Sequence, residues 1–229
     1  MLQKSIAGGY KMEIRRDFYL NKLIKRKNNG LIKVITGIRR CGKSYLLNTL
    51  FYHHLLEIGV DEDHIIRFAF DSADDLYLIG ESLIQIEKEK RGVDPEKFIT
   101  YIRSQVADEG MYYLLLDEIQ MLDCFEAVLN GYLRKDNMDV FVTGSNAKLL
   151  SKDVATEFAG RGDEVHMYPL SFAEFMSVYQ GDKYMGLSEL CSTAVFLWLF
   201  SVTVPTKKRL LYRICSMRFI FGILPSETV

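Results

Sequence analysis

The sequence predicts an α/β protein with three layers, in which a mainly parallel sheet lies between two layers of helices. Two observations carry this prediction. Short runs of apolar and β-branched residues recur along the chain, and segments with helical spacing of apolar residues separate them. The 229 residues, 48% of them hydrophobic and 26% charged, are enough to bury the core that such a sheet needs.

The elements are expected to alternate from the first helix onward. Residues 15–27 carry a helical apolar stripe that ends at Gly30, and the β-branched run LIKVIT follows as a buried strand. A helix closed by Gly59 comes next, and later helices are interrupted at 92–95 by glycine and proline. Strands are predicted over 31–36, 65–70, 112–116, 139–143 and 164–168, and helices over 15–27, 43–58, most of 74–105, 125–135 and 171–179.

The segment GIRRCGKS, residues 37–44, joins the first strand to the next helix and fits the pattern G-x-x-x-x-G-K-[ST]. Glycines let successive backbone N–H groups point at phosphate oxygens, and the helix adds its positive N-terminal end. Lys43 would reach the β- and γ-phosphates, and the Ser44 hydroxyl would ligate Mg²⁺. The predicted nucleotide-binding residues are Gly37, Ile38, Arg39, Arg40, Cys41, Gly42, Lys43, Ser44 and Tyr45.

Three points about this loop stay open in the sequence. A glycine-rich turn from strand to helix can exist without a ligand. Arg39 and Arg40 can contact the nucleotide or remain solvated. Cys41 has no identifiable base beside it, which favours a packing residue over a nucleophile.

The strand over residues 112–116 runs into two acids, Asp117 and Glu118. In a P-loop protein the first acid would hold Mg²⁺, and the second would polarise the attacking water. A nucleotide kinase often lacks the second acid, so Glu118 favours a hydrolase. The alternative is a strand that simply ends in an acidic turn.

The next strand ends in polar residues too, at Ser145 and Asn146. In P-loop ATPases with an additional strand between the loop strand and the acid strand, a polar residue at this tip senses the γ-phosphate. Asn146 is the preferred candidate, although it can also cap the following short helix. Arg161 lies between two glycines and suits a cationic finger, acting in its own chain or from a neighbouring subunit; the alternative is a solvated arginine.

Together these segments resemble a group of prokaryotic AAA+-like ATPases of the additional-strand P-loop class. The matching stretches are ITGIRRCGKSYLL, LLLDEIQ, FVTGSNAKLLS and AGRGDEVHMYPLSFAEF, at 35–47, 114–120, 141–151 and 159–175. The resemblance extends over residues 10–185 and implies a P-loop NTPase fold with ATP and Mg²⁺ as cofactors. It also implies a winged-helix region and a further C-terminal domain after the core, which have no counterpart in this sequence.

The last forty residues differ in character from the rest. Residues 190–229 contain five basic residues and one acid, whereas residues 1–189 contain 24 basic and 29 acidic residues. Residues 190–204 carry no charge but are shorter than the ~20 residues of a membrane helix, so no membrane partner is expected. The expected organisation is a helical lead-in over 1–30, an AAA+-like domain over 31–185 and an atypical tail over 186–229.

A shift of reading frame near Glu189 is the hypothesis for this tail. Codons can be chosen for residues 213–224 whose DNA, read from the third base, encodes NLFDEIYLRDI. That resembles a motif found after the core of these ATPases, and the same offset gives a family-like reading of residues 190–198. Sequencing the gene around codon 189 tests the hypothesis.

Composition narrows the function classes. The net charge of −1 and the acidic first 189 residues give no support for nucleic-acid contact. Four cysteines and four histidines show no zinc-ligand spacing, and the N-terminus has no apolar run typical of a signal peptide, so a reduced cytoplasm is expected. The favoured function is a Mg²⁺-dependent ATPase, for which a homo-oligomer is one possible assembly. The alternatives are a non-hydrolysing ATP-binding switch and a DNA-associated ATPase module.

Overall fold

The structure is a computed structural model and describes residues 14–144 and 161–200, apart from the side chains of residues 192–200. Asp17–Pro169 form one compact unit, and the remaining described residues belong to a second unit. Asn146 and residues 201–229, on which parts of the sequence predictions rest, lie outside the described residues.

The first unit contains five strands, which form a single sheet. The strands are β1 Ile32–Gly37, β2 Ile65–Ala69, β3 Tyr112–Asp117, β4 Met138–Thr143 and β5 Gly162–Met167. All neighbouring strands run parallel in the order β2-β3-β4-β1-β5, so the predicted parallel sheet is confirmed.

Helices of the first unit cover both faces of the sheet. They are α1 Asp17–Arg26, α2 over 43–57, α3 Ala73–Leu78, α4 Leu83–Glu89, α5 Pro95–Gln105 and α6 Phe125–Tyr132. One buried cluster joins α1 and α2 to Ile35, Leu115 and Phe141, and the other joins α3–α6 to Val34 and Leu114. Adjacent residues of one strand therefore pack into opposite layers, as alternation in a buried parallel sheet requires.

Two helical regions differ in detail from the sequence prediction. Helix α2 consists of Lys43–Tyr45, a π-helical segment Leu46–Phe51, and Tyr52–Glu57. The region predicted as mostly helical over 74–105 divides into three helices, because Gly80 takes a φ of 67° and Lys90 a φ of 53° at their ends. Short 3-10 turns lie at Glu62–His64 and Ile119–Met121.

A buried ion pair lies near the start of the strands. Lys33, fully buried in β1, donates a hydrogen bond to Asp139 in β4 and another to the carbonyl of Leu31 at 2.8 Å. The other Asp139 oxygen accepts the backbone N–H of Asn28 at 2.8 Å. The charge within an otherwise apolar strand is therefore paired, and it fixes the connection from α1 to β1.

The second unit contains two described helices, α7 Phe172–Met176 and α8 Lys183–Phe200. Ser171 and Glu174 form a capping box at the start of α7, and Glu174 also pairs with Arg16 at 2.8 Å. Helix α8 continues through Glu189, where the residue composition changes. Over the described residues, no helix combines the length and the apolar character that crossing a membrane requires.

Candidate nucleotide-binding site

The three strands that lead into the predicted site residues end at one edge of the sheet. Gly37 ends β1, Asp117 ends β3 and Thr143 ends β4, and the three strands are parallel neighbours. Strand β4 lies between β1 and β3, as predicted for the additional strand. The carboxyl edge of a parallel sheet is where α/β proteins bind their ligands, so the loop and the acid pair share the favoured location.

The loop after β1 needs glycine at Gly37. Its φ is 145°, and a Cβ at this position would lie 2.3 Å from the carbonyl oxygen of Met167 in β5. Gly42 has a φ of 96°, and Arg40 has a φ of 67°. These left-handed residues turn the backbone so that α2 begins at Lys43, directly after the loop.

The side chains of the loop divide into buried and exposed groups. Cys41 is buried within the core cluster that packs on α2, which supports the packing role. Ile38, Arg39, Arg40 and Ser44 are exposed. The Ser44 hydroxyl and both arginines are therefore accessible to a ligand at this edge.

Lys43 is 4% exposed, and its ammonium lies inside the loop. It donates hydrogen bonds to the carbonyl oxygens of Gly37 and Ile38, at 3.1 Å each. A mobile ammonium on a flexible side chain can exchange such contacts for phosphate oxygens. The lysine thus lies where the sequence pattern requires a positive charge.

Both carboxylate oxygens of Asp117 have partners. The hydroxyl of Thr143 donates to Oδ1, and the side-chain amide of Asn48 donates to Oδ2 at 3.2 Å. Asn48 belongs to the π-helical segment of α2, one turn after Ser44. A π-helical turn inside an α-helix is frequent at functional sites, and here it carries the residue that contacts the acid strand.

Glu118 adopts a left-handed backbone conformation, with φ 52° and ψ 48°. Its N–H donates to the Thr143 hydroxyl oxygen at 3.2 Å, and its carboxylate accepts a hydrogen bond from the Gln120 amide. Non-glycine residues with positive φ are uncommon and cluster at functional sites. The backbone therefore leaves the extended path of β3 at Glu118.

Asp71 adds a third carboxyl group near the acid pair. It follows β2, whose last residue pairs with Asp117. Burial raises the pKa of Asp71, and the negative charges of Asp117, Glu118 and Asp75 raise it further. The sequence does not predict Asp71 as a site residue, because an aspartate after a strand is typical of an ordinary turn.

Asn48, Thr143 and Gln120 were also missed by the sequence reading. The spacing of Asn48 from Ser44 placed both residues on one helix face and was the available signal. Thr143 precedes the predicted polar tip and reads as the last residue of a strand. The contacts of Gln120 depend on the left-handed turn at Glu118, for which the residue types give no sign.

Arg161 lies near the amino ends of the strands, whereas the loop lies at their carboxyl ends. Gly162, which follows it, pairs with Ile32 at the start of β1, whereas Met167 pairs with Gly37 at its end. Five residues of strand separate these pairs, or about 17 Å at ~3.3 Å per residue. Arg161 donates to Asn130 at 3.3 Å, so the structure does not bring it together with Lys43 in one chain.

Mg²⁺ suits the oxygen groups at this edge. The Asp117 carboxylate and the Ser44 hydroxyl are hard oxygen donors on neighbouring segments. Mg²⁺ keeps several waters and typically takes one or two protein ligands plus substrate phosphates. A cage of three or more acidic, histidine or cysteine groups, which the described residues lack, is not needed for such a site.

Comparison with known proteins gives a family and several relatives. A family model described as an AAA domain matches residues 29–176. An uncharacterised protein of Haemophilus influenzae is 35% identical over 174 residues, which are 76% of this chain and 40% of the relative. An uncharacterised protein of Methanocaldococcus jannaschii is 32% identical over 167 residues, which are 71% of this chain and 31% of the relative. The chain therefore spans less than half the length of these relatives.

Solved structures give a more distant likeness. Drosophila ORC bound to DNA is 15% identical with a TM-score of 0.41, over 66% of this chain and 88% of that one. C. elegans PCH-2 is 19% identical with a TM-score of 0.41, over 83% of this chain and 46% of that one. Both TM-scores lie below 0.5, so the family assignment is based on the family model and the parallel sheet. Because the AAA model matches the stretch that contains both the loop and the acid pair, this chain belongs to the AAA domain family of nucleotide-binding, ATPase-like proteins.

Proposed function

We propose that the unit Asp17–Pro169 binds ATP with Mg²⁺ and hydrolyses its terminal phosphoanhydride bond. The observation that carries the proposal is the placement of Lys43 and the acid pair at one sheet edge, on strands separated only by β4. A hydrolase needs phosphate-binding groups and a water-activating carboxylate side by side. Lys43 and Glu118 are the residues proposed for these two roles at this edge.

Phosphate binding would use the loop backbone, the start of α2 and Lys43. The ammonium of Lys43 exchanges its contacts with the Gly37 and Ile38 carbonyls for phosphate oxygens. Ser44 and Asp117 would hold Mg²⁺, which supplies neutralisation of the charge on the β- and γ-phosphate oxygens when bound. Asn48 and Thr143 keep the Asp117 carboxylate oriented toward this role.

Hydrolysis would depend on Glu118, which orients and polarises the attacking water. Its left-handed backbone and its contact with Gln120 keep the carboxylate in one position. Asn146 remains the proposed sensor of the γ-phosphate. Arg161 would act on the site of a neighbouring subunit, because its own loop lies at the opposite edge of the sheet.

Two substitutions test the proposal. Lys43→Ala is expected to abolish ATP binding, whereas Glu118→Gln is expected to keep binding and to lower phosphate release at least about 100-fold. A fluorescent-nucleotide titration and a phosphate-release assay measure the two quantities. Lys25→Ala and Glu57→Gln, which change exposed residues on α1 and α2, serve as matched controls.

The outcomes separate the alternatives. Turnover that persists unchanged in Glu118→Gln would exclude the role assigned to that carboxylate. A wild-type chain that binds ATP and releases no phosphate would be a nucleotide-dependent switch. A chain that binds no ATP would remove the proposal altogether.

A further inference from the structure

The hydroxyl of Thr143 joins the two acidic residues of the site. It donates a hydrogen bond to Oδ1 of Asp117 and accepts one from the backbone N–H of Glu118 at 3.2 Å. The side chain is fully buried at the end of β4. One hydroxyl therefore contacts both residues to which Mg²⁺ binding and water activation are assigned.

Both functions of this hydroxyl group are in use. A threonine hydroxyl has one donor hydrogen and acceptor lone pairs, and here the hydrogen goes to Asp117 while a lone pair accepts from Glu118. Valine has the same shape but would leave both partners without this contact in a buried place. Serine would keep the hydroxyl and remove only a methyl group.

The contact with Glu118 also stabilises an unfavourable backbone conformation. Glu118 has a φ of 52°, which a non-glycine residue keeps only when its surroundings hold it there. Its N–H is fixed by Thr143, and its carboxylate is held by Gln120. Without the Thr143 hydroxyl, the turn at Glu118 loses this hydrogen bond to the end of β4.

Strand β4, which ends at Thr143, lies between the two strands that carry the site residues. It pairs with β1, which carries the loop, and with β3, which carries the acids. The Thr143 hydroxyl at the end of β4 therefore links the acid pair to the strand that pairs directly with β1.

We propose that Thr143 is a positioning residue for ATP hydrolysis, whose hydroxyl fixes the Asp117 carboxylate and the Glu118 turn in their working geometry. The proposal rests on the function proposed above. Thr143 would not touch the substrate and would act only through the two acids. Its loss should therefore reduce the rate of the chemical step and the Mg²⁺-dependent part of ATP affinity, while Mg²⁺-free binding persists.

The test compares three variants of the full chain. Thr143→Val should lower kcat by about 10- to 100-fold and raise the Mg²⁺ concentration needed for half-maximal activity. Thr143→Ser should restore kcat to within about threefold of the wild type, because it keeps the hydroxyl. Val140→Ala removes buried methyl groups from the same strand and controls for a general loss of stability.

Binding measurements make the result independent of turnover. ATP affinity is measured by titration with a fluorescent ATP analogue, once with Mg²⁺ and once with EDTA. Weaker binding of Thr143→Val in Mg²⁺ alone supports the positioning of Asp117, even if the wild type does not hydrolyse ATP. If the wild type hydrolyses ATP and Thr143→Val matches it in kcat and in Mg²⁺ dependence, the positioning role is wrong while the ATPase function stands. An equal fall of kcat in Val140→Ala and Thr143→Val would also overturn it, because stability alone would then explain the loss.

Discussion

Tyr132 carries a buried hydroxyl group that has no hydrogen-bond partner within the described part of the chain. Burial raises the pKa of Tyr132 to about 12. Tyr112 is the contrasting case, because its hydroxyl oxygen accepts the N–H of Ala107 at 3.0 Å. The Tyr112 hydroxyl also accepts the N–H of Asp108 and donates to its carboxylate, at 3.3 Å each. The two tyrosines are similarly buried, so they isolate what hydroxyl hydrogen bonds contribute to this core.

Tyr132→Phe should leave the free energy of unfolding unchanged or raise it by up to about 1 kcal/mol, since it removes an unpaired polar group. Tyr112→Phe, the matched control, should lower it by about 1 kcal/mol. Urea unfolding at pH 7 measures both. A loss in Tyr132→Phe as large as that in Tyr112→Phe would show that the Tyr132 hydroxyl has a partner.

The effect of Tyr132→Phe on stability has a defined pH dependence. The folded protein holds the Tyr132 proton more tightly than the unfolded chain, whose phenol has a pKa near 10.0. The stability that this proton provides is present below pH 10 and is lost as the pH rises toward about 12. Unfolding free energy should therefore fall less steeply over this window in Tyr132→Phe than in the wild type.

The residues of the site differ in how far the sequence predicted them. Lys43, Ser44 and Asp117 stand in patterns that the chemistry of phosphate binding demands, and the structure brings them to one sheet edge. Asp71 and Asn48 reach that edge only because β2 and β3 are neighbours and α2 has a π-helical turn. Such contacts depend on strand order and helix phase, which no single segment encodes.

At the scale of an element, the loop from β1 to α2 depends on one backbone position. Gly37→Ala would place a methyl group against the Met167 carbonyl at a φ that L-residues rarely adopt. We expect a loss of about 2 kcal/mol in unfolding free energy and at least about tenfold weaker ATP binding, because the loop must move away from β5.

Gly131→Ala is the control for this change. Gly131 lies in α6, and a Cβ there would have no atom within 4 Å. Alanine should stabilise the helix by about 0.5–1 kcal/mol without affecting nucleotide affinity. Equal nucleotide affinities in Gly37→Ala and the wild type would show that the loop tolerates the shift.

The elements themselves were predicted well where a periodic pattern was long. Four of the five strands were predicted from apolar runs such as YYLLL, which have no polar face. The fifth, GDEVHM, was predicted only as a possible strand, because most of its residues are polar. The segment 74–105 was read as mostly helical, because its apolar spacing continues through residues that end helices with positive φ. The π-helical segment in α2 was not predicted, because LLNTLF fits a regular α-helix equally well.

On the scale of the whole molecule, Arg161 and the phosphate-binding loop lie at opposite edges of one sheet. We predict that Lys43→Ala and Arg161→Ala are each inactive and that a mixture restores hydrolysis. An equimolar mixture should reach about a quarter of wild-type activity, since half of the chains keep Lys43 and half of their neighbours supply Arg161. Phosphate release from mixed and unmixed samples measures this.

Two results would contradict the action of Arg161 on the site of a neighbouring subunit. Full activity of Arg161→Ala alone would show that the arginine has no part in hydrolysis. Failure of every mixing ratio to restore activity, with both variants folded and self-associating, would show that Arg161 does not complete a neighbour's site.

If Arg161 completes the site of a neighbouring subunit, its placement gives each subunit a direction. A molecule that offers its arginine from one end and accepts one at the other is suited to head-to-tail contacts, in which unlike surfaces meet. A closed ring of such subunits completes every site, whereas an open row leaves the site at one end without an arginine. Specific activity should then rise with protein concentration as rows lengthen or close, so that assembly itself sets the rate.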